Sequence, residues 1–549
     1  MKRVLKVVGI LILLIFLSIL GFFIYINALF KNEFKEYDFK TFKIDSIDNK
    51  TTHIGPNWLR EERPGLWTLY VEGKPFERGL IAGQLTKDLV FRQEKAFVEQ
   101  IHHLVPSDSY LKFLKYVIGV FDYNLYHSIP EENKKEIYGV SFSASSKFTN
   151  IASNYQRILN YHGAHDMGHM LNNLGMVGCT SFGVWNSRTV DGDLLIGRNF
   201  DFYVGDDFSK EKIVEFVRPD SGYRHAFITW GGMIGAVSGM NEMGLTVTIN
   251  AANSDVKVKA ATPVAIVARQ ILQYASNINE AVAIASHFDV FVSELFLIGS
   301  ALDNRAIIIE KRPGSQVVFD PCSDQIISTN HFQSRQFGYM PQSLSQRFET
   351  ASGYRYRRMH ELLENRKDLD VPDVVNILRN MRGIKNADIG LGNEDAINQL
   401  IAHHSIVFNP RKRMFWISTS PYQLGEYVAY DLKKVFASGL PGKGVSIYRI
   451  DSLNVLSDKR AIDNEVVRYS LYKLLRSRMY AHSIKAESLD SLQMLNPNSY
   501  ETYELIGDYY FNLGQNANAT RNYWKALKCI IPNKKEVKRI NDRISKSKM

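Results

Sequence analysis

Residues 178–182 are Gly-Cys-Thr-Ser-Phe, and residues 197–202 are Gly-Arg-Asn-Phe-Asp-Phe. These two segments decide the predicted fold. Both segments have the composition of β-strands, and an Asp-Gly turn lies between them, which is a hairpin signal. Pairing of the two strands would return Arg198 and Asp201 to the side of Cys179. A cation beside a thiol favours the thiolate, which is the nucleophilic form. The pattern therefore predicts a reactive cysteine at the start of a strand, rather than an inert buried one.

Strand and helix patterns alternate in blocks on both sides of this hairpin. Residues 66–71 are rich in β-formers, and residues 76–103 have helical periodicity. Helices are also predicted at 262–276, 278–288, 349–365 and 371–382. This order predicts an α+β architecture of antiparallel sheets layered with helices. The further predicted strands are Ile213–Val217, His225–Trp230, Ala236–Met240, Leu245–Asn250, Leu295–Gly299, Ala306–Glu310, Gln316–Phe319, Gln325–Ser328, Ser405–Phe408 and Met414–Ser418.

Additional motifs accompany the hairpin in a fixed order along the chain. Together they resemble the Cys-type N-terminal-nucleophile (Ntn) hydrolases, in particular the acyl-coenzyme A:6-aminopenicillanate acyltransferase-like family. That family is related to choloylglycine hydrolase, penicillin V acylase and acid ceramidase. The resemblance runs from about residue 65 to 435. Its motifs are Phe-Glu-Arg-Gly-Leu-Ile-Ala-Gly at 76–83, Asn-Glu-Met-Gly-Leu at 241–245, Thr-Asn-His-Phe at 329–332, Ser-Gly-Tyr-Arg at 352–355 and Ser-Ile-Val-Phe-Asn-Pro at 405–410.

The resemblance implies a four-layer αββα Ntn-hydrolase sandwich and a precursor that cuts itself between Gly178 and Cys179. Cleavage would give Cys179 a free α-amine as well as its thiol. A terminal amine has a pKa of about 7.7–8.0, so it can act as the general base for its own side chain. The resemblance implies no cofactor.

The same resemblance implies roles for five further residues. Arg198 would stabilise the thiolate or orient the substrate, and Asp201 would hold the α-amine. Asn250 would donate to the oxyanion, with Asn253 as a rival position. The last two are Asn330, which would position the tetrahedral intermediate, and Arg355, which would complete the site electrostatically and has Arg357 and Arg358 as rivals.

A second polar cluster precedes the expected cut. His162, His165, Asp166 and His169 share one face of a helix, so a metal site is conceivable there. Local hydrogen bonding of polar helix residues is the favoured interpretation. We therefore predict no metal.

The N-terminus has the features of a membrane anchor. Lys2, Arg3 and Lys6 precede an apolar run at residues 7–30, which is long enough to cross a hydrocarbon core of ~30 Å. Cations stay on the cytoplasmic side, so a single-pass topology with the catalytic domain outside is expected. A cleaved signal peptide is the alternative, although its apolar region is usually shorter.

The C-terminal part of the chain is predicted to be helical. Residues 497–532 fit one tetratricopeptide-like unit. Such a unit is either a helical hairpin packed on the catalytic domain or a platform for a protein partner. The net charge of +10 is spread along the chain without a nucleic-acid-binding motif, so no nucleic-acid partner is expected.

These observations define five predicted regions and three candidate functions. The first candidate is a membrane-anchored amidohydrolase that acts on a small N-acylated substrate through a Cys179 thioester. The second is an acyltransferase that passes the acyl group to an amine, and the third is a non-catalytic scaffold. The regions are 1–30 (anchor), 31–64 (juxtamembrane linker), 65–178 (prosegment and N-terminal part of the Ntn domain), 179–440 (αββα catalytic domain) and 441–549 (helical C-terminal region).

Overall fold

The computed structural model describes residues 39–104, 124–170, 178–203, 205–253, 261–440, 449–481 and 486–548, with scattered positions elsewhere. Within these residues the larger sheet has eleven strands. Its strands, in their order across the sheet, are β1 (Asp45–Asp48), β2 (Thr51–Ile54), β3 (Asn57–Arg63), β4 (Leu66–Gly73), β7 (Lys212–Pro219), β8 (His225–Thr229), β9 (Ser238–Asn241), β10 (Leu245–Ala252), β11 (Ser293–Ser300), β12 (Arg305–Arg312) and β13 (Ser315–Phe319).

The smaller sheet holds the hairpin that carries the cysteine motif. In order, its six strands are β14 (Gln325–Ser328), β5 (Thr180–Val184), β6 (Leu195–Phe200), β15 (His404–Asn409), β16 (Met414–Ser418) and β17 (Tyr427–Asp431).

One ladder of the larger sheet differs from its neighbours. β4 and β7 pair in parallel, with Leu66 opposite Lys212 and Gly73 opposite Pro219. The ladders on either side of this pair, β3–β4 and β7–β8, are antiparallel. A parallel pair needs a crossover connection, and here the chain passes through helices and the β5–β6 hairpin before it returns.

Helices cover the outer faces of both sheets, except Leu432–Ser438, whose buried side chains join the core between the sheets. Those before the cysteine motif are α1 (Pro75–Leu85), α2 (Lys87–Leu104), α3 (Glu131–Ser141) and α4 (Asn154–Met170). Those after it are α5 (Val264–Tyr274), α6 (Ile278–Ser286), α7 (Pro341–Glu349), α8 (Ala351–Leu363), α9 (Val371–Leu378) and α10 (Leu432–Ser438). α5 and α6 pack on β10 and β11, whereas α8 and α9 pack on the smaller sheet.

The two sheets pack face to face in the middle of the domain. Val214, Ile228 and Leu295 of the larger sheet share one core with Ile406 and Phe415 of the smaller one. Every residue of β10 and β11 is buried, because one face meets the other sheet and the opposite face meets helices. The domain is therefore layered helix, sheet, sheet, helix, and the prediction of an α+β architecture with four αββα layers is confirmed.

The predicted linker at 31–64 is wrong from Asp45 onward, because β1–β3 extend the larger sheet there. Arg60 and Glu62 of β3 are buried, at 7% and 4% exposure. Arg60 donates to Thr51 Oγ1 at 2.7 Å, and Glu62 pairs with Arg449 at 2.9 Å. The charged residues of this strand predicted a solvated linker, but in the fold Arg60 pairs with Asp48 of β1 and Glu62 pairs with Arg449.

Several further elements differ from prediction. The single helix predicted at 76–103 is two helices, because Thr86 ends the first one and bonds its hydroxyl to the Ala82 carbonyl at 2.7 Å. The strand β17 and the helix α10 after it were not predicted.

The C-terminal region is helical and packs on the catalytic domain. After a turn at Lys459–Ala461 and a π-helical stretch at Ile462–Val466 come α11 (Val467–Tyr480), α12 (Ser488–Leu495), α13 (Tyr500–Asn512), α14 (Asn516–Ala526) and α15 (Lys534–Ser547). Asn496 bonds both the N–H and the carbonyl of Leu391 at 2.9 Å. The helical content agrees with the sequence, whereas the tetratricopeptide character of 497–532 stays a prediction.

The predicted anchor at 7–30 falls largely outside the described residues. Among the positions that are described, no helix has both the length and the apolarity to cross a membrane.

Candidate active site

The β5–β6 hairpin brings the predicted nucleophile and its partners together. Thr180 pairs with Asn199, and Ser181 pairs with Arg198. Gly178, just before β5, donates its N–H to the carbonyl of Asp201 at 2.9 Å. The spacing of Arg198 and Asp201 in the sequence thus arises from the register of this ladder.

The thiol of Cys179 is fully buried in the uncleaved chain. Its Sγ lies 3.8 Å from Arg198 Nη2 and 3.9 Å from the carbonyl oxygen of Asp201. Burial raises the pKa of the Cys179 thiol to about 11, and the Arg198 charge acts in the opposite direction. The Cys179 thiol is therefore protonated at neutral pH in the intact chain.

Arg198 is held in place by several buried contacts. Its Nη1 donates to the carbonyl of Val237 at 2.7 Å and to Ser238 Oγ, and its Nη2 donates to the carbonyl of Ile249. The guanidinium carbon also lies 4.4 Å from the centre of the Phe200 ring. Because these partners surround a planar donor set, the charge stays fixed beside the thiol.

A buried hydrogen-bond chain continues beyond Arg198. Ser238 Oγ lies 2.9 Å from His404 Nε2, and His404 Nδ1 lies 3.0 Å from His403 Nδ1. Burial holds the pKa of both histidines well below their usual value, so both are neutral. Ser238 therefore accepts from Arg198 and links it to His404. No sequence motif predicted this series of hydrogen bonds.

The carboxyl group of Asp201 is buried and lies close to two arginines. Burial raises its pKa to about 7, against the opposing charges of Arg355 and then Arg198. Its Oδ2 accepts a hydrogen bond from Gln399 Nε2 at 3.4 Å. A carboxyl group that titrates near neutral pH can exchange a proton with neighbouring groups.

Arg355 of α8 contacts the backbone at the expected cut. Its Nη1 donates to the carbonyl of Cys179 at 2.6 Å and to Thr180 Oγ1 at 2.8 Å. Its Nη2 donates to Asn330 Oδ1 at 2.7 Å. The rival Arg358 instead pairs with Glu361 at 2.9 Å. Of these two arginines, Arg355 is the one that contacts Cys179 and Thr180.

The two predicted asparagines lie beside the site and bond to neighbouring backbone. Asn250 Nδ2 donates to the Ser328 carbonyl at 3.0 Å, and its Oδ1 accepts from Ser181 Oγ at 3.0 Å. Asn330 Nδ2 donates to the Ala251 carbonyl at 2.9 Å. In the uncleaved chain both amides thus tie β10 to the segment around β14, and their predicted catalytic roles stay predictions.

A residue that the sequence analysis missed contacts the expected cleavage bond. Gln399 Nε2 donates to the carbonyl oxygen of Gly178 at 2.6 Å. Gln399 is 2% exposed and belongs to no helix or strand, because it lies in the segment between α9 and β15. It is 221 positions from its partner, so no local pattern indicates the contact.

The helix α4, which precedes the expected cut, packs on the larger sheet and on α5. His162 Nε2 accepts from the N–H of Ile234 at 2.9 Å, and Asp166 Oδ2 accepts from the N–H of Val264 at 3.0 Å. Val264 begins α5, where the carboxyl oxygen of Asp166 satisfies an otherwise unbonded N–H. The side chains of His165 and His169 are not described, and the described residues contain no group of three or more potential metal ligands.

Comparison with known proteins gives a family match and several distant relatives. Residues 187–419 match the acyl-coenzyme A:6-aminopenicillanic acid acyl-transferase family, and Cys179 lies just before this range. An uncharacterized protein of Archaeoglobus fulgidus is 24% identical over 249 residues, which is 43% of this chain and 41% of that protein. The chain thus spans about two fifths of the length of that relative.

Solved structures with a similar arrangement have low sequence identity. The Caenorhabditis elegans ortholog of N-acylethanolamine-hydrolyzing acid amidase is 18% identical, with a TM-score of 0.32, and the match covers 42% of this chain and 93% of that one. Penicillin V acylase from Agrobacterium tumefaciens is 15% identical, with a TM-score of 0.30, and the match covers 47% and 87%.

The family match confirms the resemblance that the sequence motifs indicated. The chain resembles the acyl-coenzyme A:6-aminopenicillanic acid acyl-transferase family over residues 187–419. By its description, the matching family falls within the predicted enzyme class, an amide hydrolase or an N-acyltransferase.

Proposed function

We propose that this chain is a self-processing amidohydrolase that cleaves the linear amide bond of a small N-acylated substrate. The observation that carries the proposal is the position of Arg198, whose Nη2 lies 3.8 Å from the Cys179 thiol, next to the Gly178 carbonyl that Gln399 binds. A nucleophile, a fixed cation and a candidate scissile peptide bond therefore meet at one buried point.

In the proposed reaction, cleavage before Cys179 releases its α-amine, which then takes the thiol proton. The thiolate attacks the acyl carbon of the substrate and forms a thioester, and the amine part of the substrate leaves with a proton. Water then hydrolyses the thioester and restores the thiol. Arg198 stabilises the thiolate, Asp201 pairs with the α-amine, and Asn250 and Asn330 supply donors to the tetrahedral intermediate.

Arg355 has a separate part in this proposal. It binds the carbonyl of Cys179 and the hydroxyl of Thr180. Both atoms remain in the chain that begins at Cys179, so these contacts hold the new N-terminus in place after the cut.

Replacement of the nucleophile tests the proposal. Intact-mass measurement of the purified chain should find a fragment that starts at Cys179, and the Cys179→Ala chain should stay uncut and inactive against a panel of N-acyl amides. Cys322→Ala is the matched control, because Cys322 is an exposed free cysteine. Turnover by the Cys179→Ala chain, or an uncut wild-type chain that is fully active, would contradict the proposal.

Acyl transfer is the second candidate, because the matching family is one of acyl-transferases. Both reactions share the Cys179 thioester and differ only in the group that attacks it. Turnover in the presence of added amines separates them: an acylated amine as the main product indicates transfer, and a free acid indicates hydrolysis.

We also propose that the N-terminal segment anchors the enzyme in a membrane, with the catalytic domain on the outer side. The described positions between 13 and 25 are helical, and they expose Leu13, Leu14, Phe16, Leu17, Leu20, Ile24 and Tyr25. Such apolar side chains favour lipid over water. Resistance to carbonate extraction would support the anchor, and full extraction would contradict it. Protease digestion of sealed cells tests the orientation.

A further inference from the structure

We propose that Gln399 is a catalytic residue of the self-cleavage reaction, in which its side-chain amide stabilises the oxyanion that forms on the carbonyl of Gly178. This inference rests on the proposed self-processing. It assigns the cleavage step a donor separate from Asn250 and Asn330, which are predicted to serve substrate turnover.

The contacts of Gln399 fix the orientation of its amide. Nε2 faces two acceptors, the Gly178 carbonyl oxygen at 2.6 Å and Asp201 Oδ2 at 3.4 Å. An amide nitrogen has two N–H donors, so each acceptor can receive one. The opposite orientation would place the amide oxygen against a carbonyl and a carboxyl group. The Nε2–H therefore points at the atom that gains charge during cleavage.

The fit around the scissile bond is tight. A Cβ added to Gly178 would lie 2.5 Å from Gln399 Oε1 and 2.6 Å from its Nε2. The residue before Cys179 therefore has to be glycine for Gln399 to approach the carbonyl this closely. Burial of Gln399 at 2% exposure also strengthens the donor, because water does not compete with it.

The atoms of the reaction balance without any cofactor. Cys179 Sγ attacks the Gly178 carbonyl carbon, a C–S bond forms, and the oxyanion receives the Gln399 hydrogen bond. The C–N bond to Cys179 then breaks, and the thiol proton ends on the released α-amine. Water hydrolyses the resulting thioester to a Gly178 carboxylate and a free Cys179 thiol.

The test measures the cleavage rate of full-length chains. Pulse-labelled protein from cell-free synthesis gives the uncut chain a defined starting time, and intact mass follows the product. Gln399→Met keeps the side-chain length and removes the donor. We expect its cleavage to slow by roughly 10²–10³-fold, the usual effect of losing one oxyanion donor. Once cleaved, this variant should show alkylation of Cys179 by iodoacetamide within a few-fold of wild type.

Gln423→Met is the matched control. Gln423 is also buried, and its described side-chain contacts include no atom of the scissile bond. It should cleave at the wild-type rate. Wild-type cleavage by Gln399→Met, or equal slowing in both variants, would overturn the assignment.

Two further outcomes keep the inference testable. If Gln399→Met does not fold, the Gln399→Asn variant tests the role instead. It keeps the amide group but moves it away from the Gly178 carbonyl by the length of one methylene. Slower cleavage of the folded Asn variant supports the role, and an unchanged rate overturns it. If the wild-type chain itself never cleaves, the proposed self-processing fails; if it cleaves and the Gln399 variants match it, only the role of Gln399 fails.

Discussion

Arg198 stabilises the site through its geometry as well as its charge. Arg198→Lys keeps a cation but loses the planar set of bonds to Val237, Ser238 and Ile249. The loss leaves buried acceptors unsatisfied, at a cost of about 1–3 kcal/mol each. We expect a higher thiol pKa in the cleaved enzyme, measured as a shift of the iodoacetamide rate profile to higher pH. Arg188→Lys, outside the site, should leave the profile unchanged.

Asp201 should make the stability of the precursor depend on pH. Its pKa is about 7 in the fold, against about 3.9 when unfolded. The folded chain then binds one more proton than the unfolded chain between these values, so this residue's contribution falls as pH rises from about 4 to about 7. Above that range the contribution is constant.

Urea denaturation measures this effect in a Cys179→Ala background, which prevents cleavage. The stability of the parent relative to Asp201→Asn should decrease by about 1.4 kcal/mol for each unit of pKa difference across that pH range. A difference that stays constant with pH would show that Asp201 titrates at its ordinary value.

At the residue scale, the sequence predicts the contacts that strand register controls and misses those that depend on tertiary packing. Arg198 and Asp201 lie beside Cys179 because one hairpin sets their spacing. Arg355 was one of three neighbouring arginines, and only the packing of α8 against β5 distinguishes it. Gln399 and His404 reach the site from a later segment, and nothing in their own neighbourhood marks them.

Among the elements, buried strands with runs of β-forming residues were the easiest to predict. β10 and β11 lie between another sheet and helices, so every residue of both is buried, including polar ones such as Thr246 and Glu294. β3 was missed because it is rich in charged residues that are buried in pairs: Glu62 pairs with the distant Arg449, and Arg60 pairs with Asp48 of β1. Periodicity reports average burial of a segment, and it contains no information about such pairing.

The helix α9 offers a test at this scale. Asp370 accepts from the N–H of Asp373 at 2.9 Å, and the Asp373 side chain returns a bond to the N–H of Asp370 at 3.3 Å. Asp370→Ala should cost about 1 kcal/mol, as is typical for loss of an N-cap. Thermal unfolding measures the loss, and the exposed Lys367→Ala should change it little. Equal melting temperatures of the Asp370→Ala variant and the wild type would mean that the two hydrogen bonds between Asp370 and Asp373 do not stabilise α9.

In the whole molecule, the C-terminal helices are attached to the catalytic domain through buried polar contacts. Asn496 bonds both backbone groups of Leu391 and is fully buried. Asn496→Ala should lower stability by about 1–3 kcal/mol, because two buried backbone groups lose their partner. Thermal unfolding of the full chain measures this, with the exposed Asn541→Ala as control. An unchanged melting temperature would show that the two regions are not coupled through this residue.

The parallel pairing of β4 with β7 has a consequence for the enzyme after cleavage. β4 precedes the cut and β7 follows it, yet they form one continuous ladder from Leu66–Lys212 to Gly73–Pro219. The mature enzyme would therefore be a heterodimer whose two polypeptides share a β-sheet and separate only on unfolding. A membrane anchor at the N-terminus would then retain the catalytic polypeptide without any covalent bond to it.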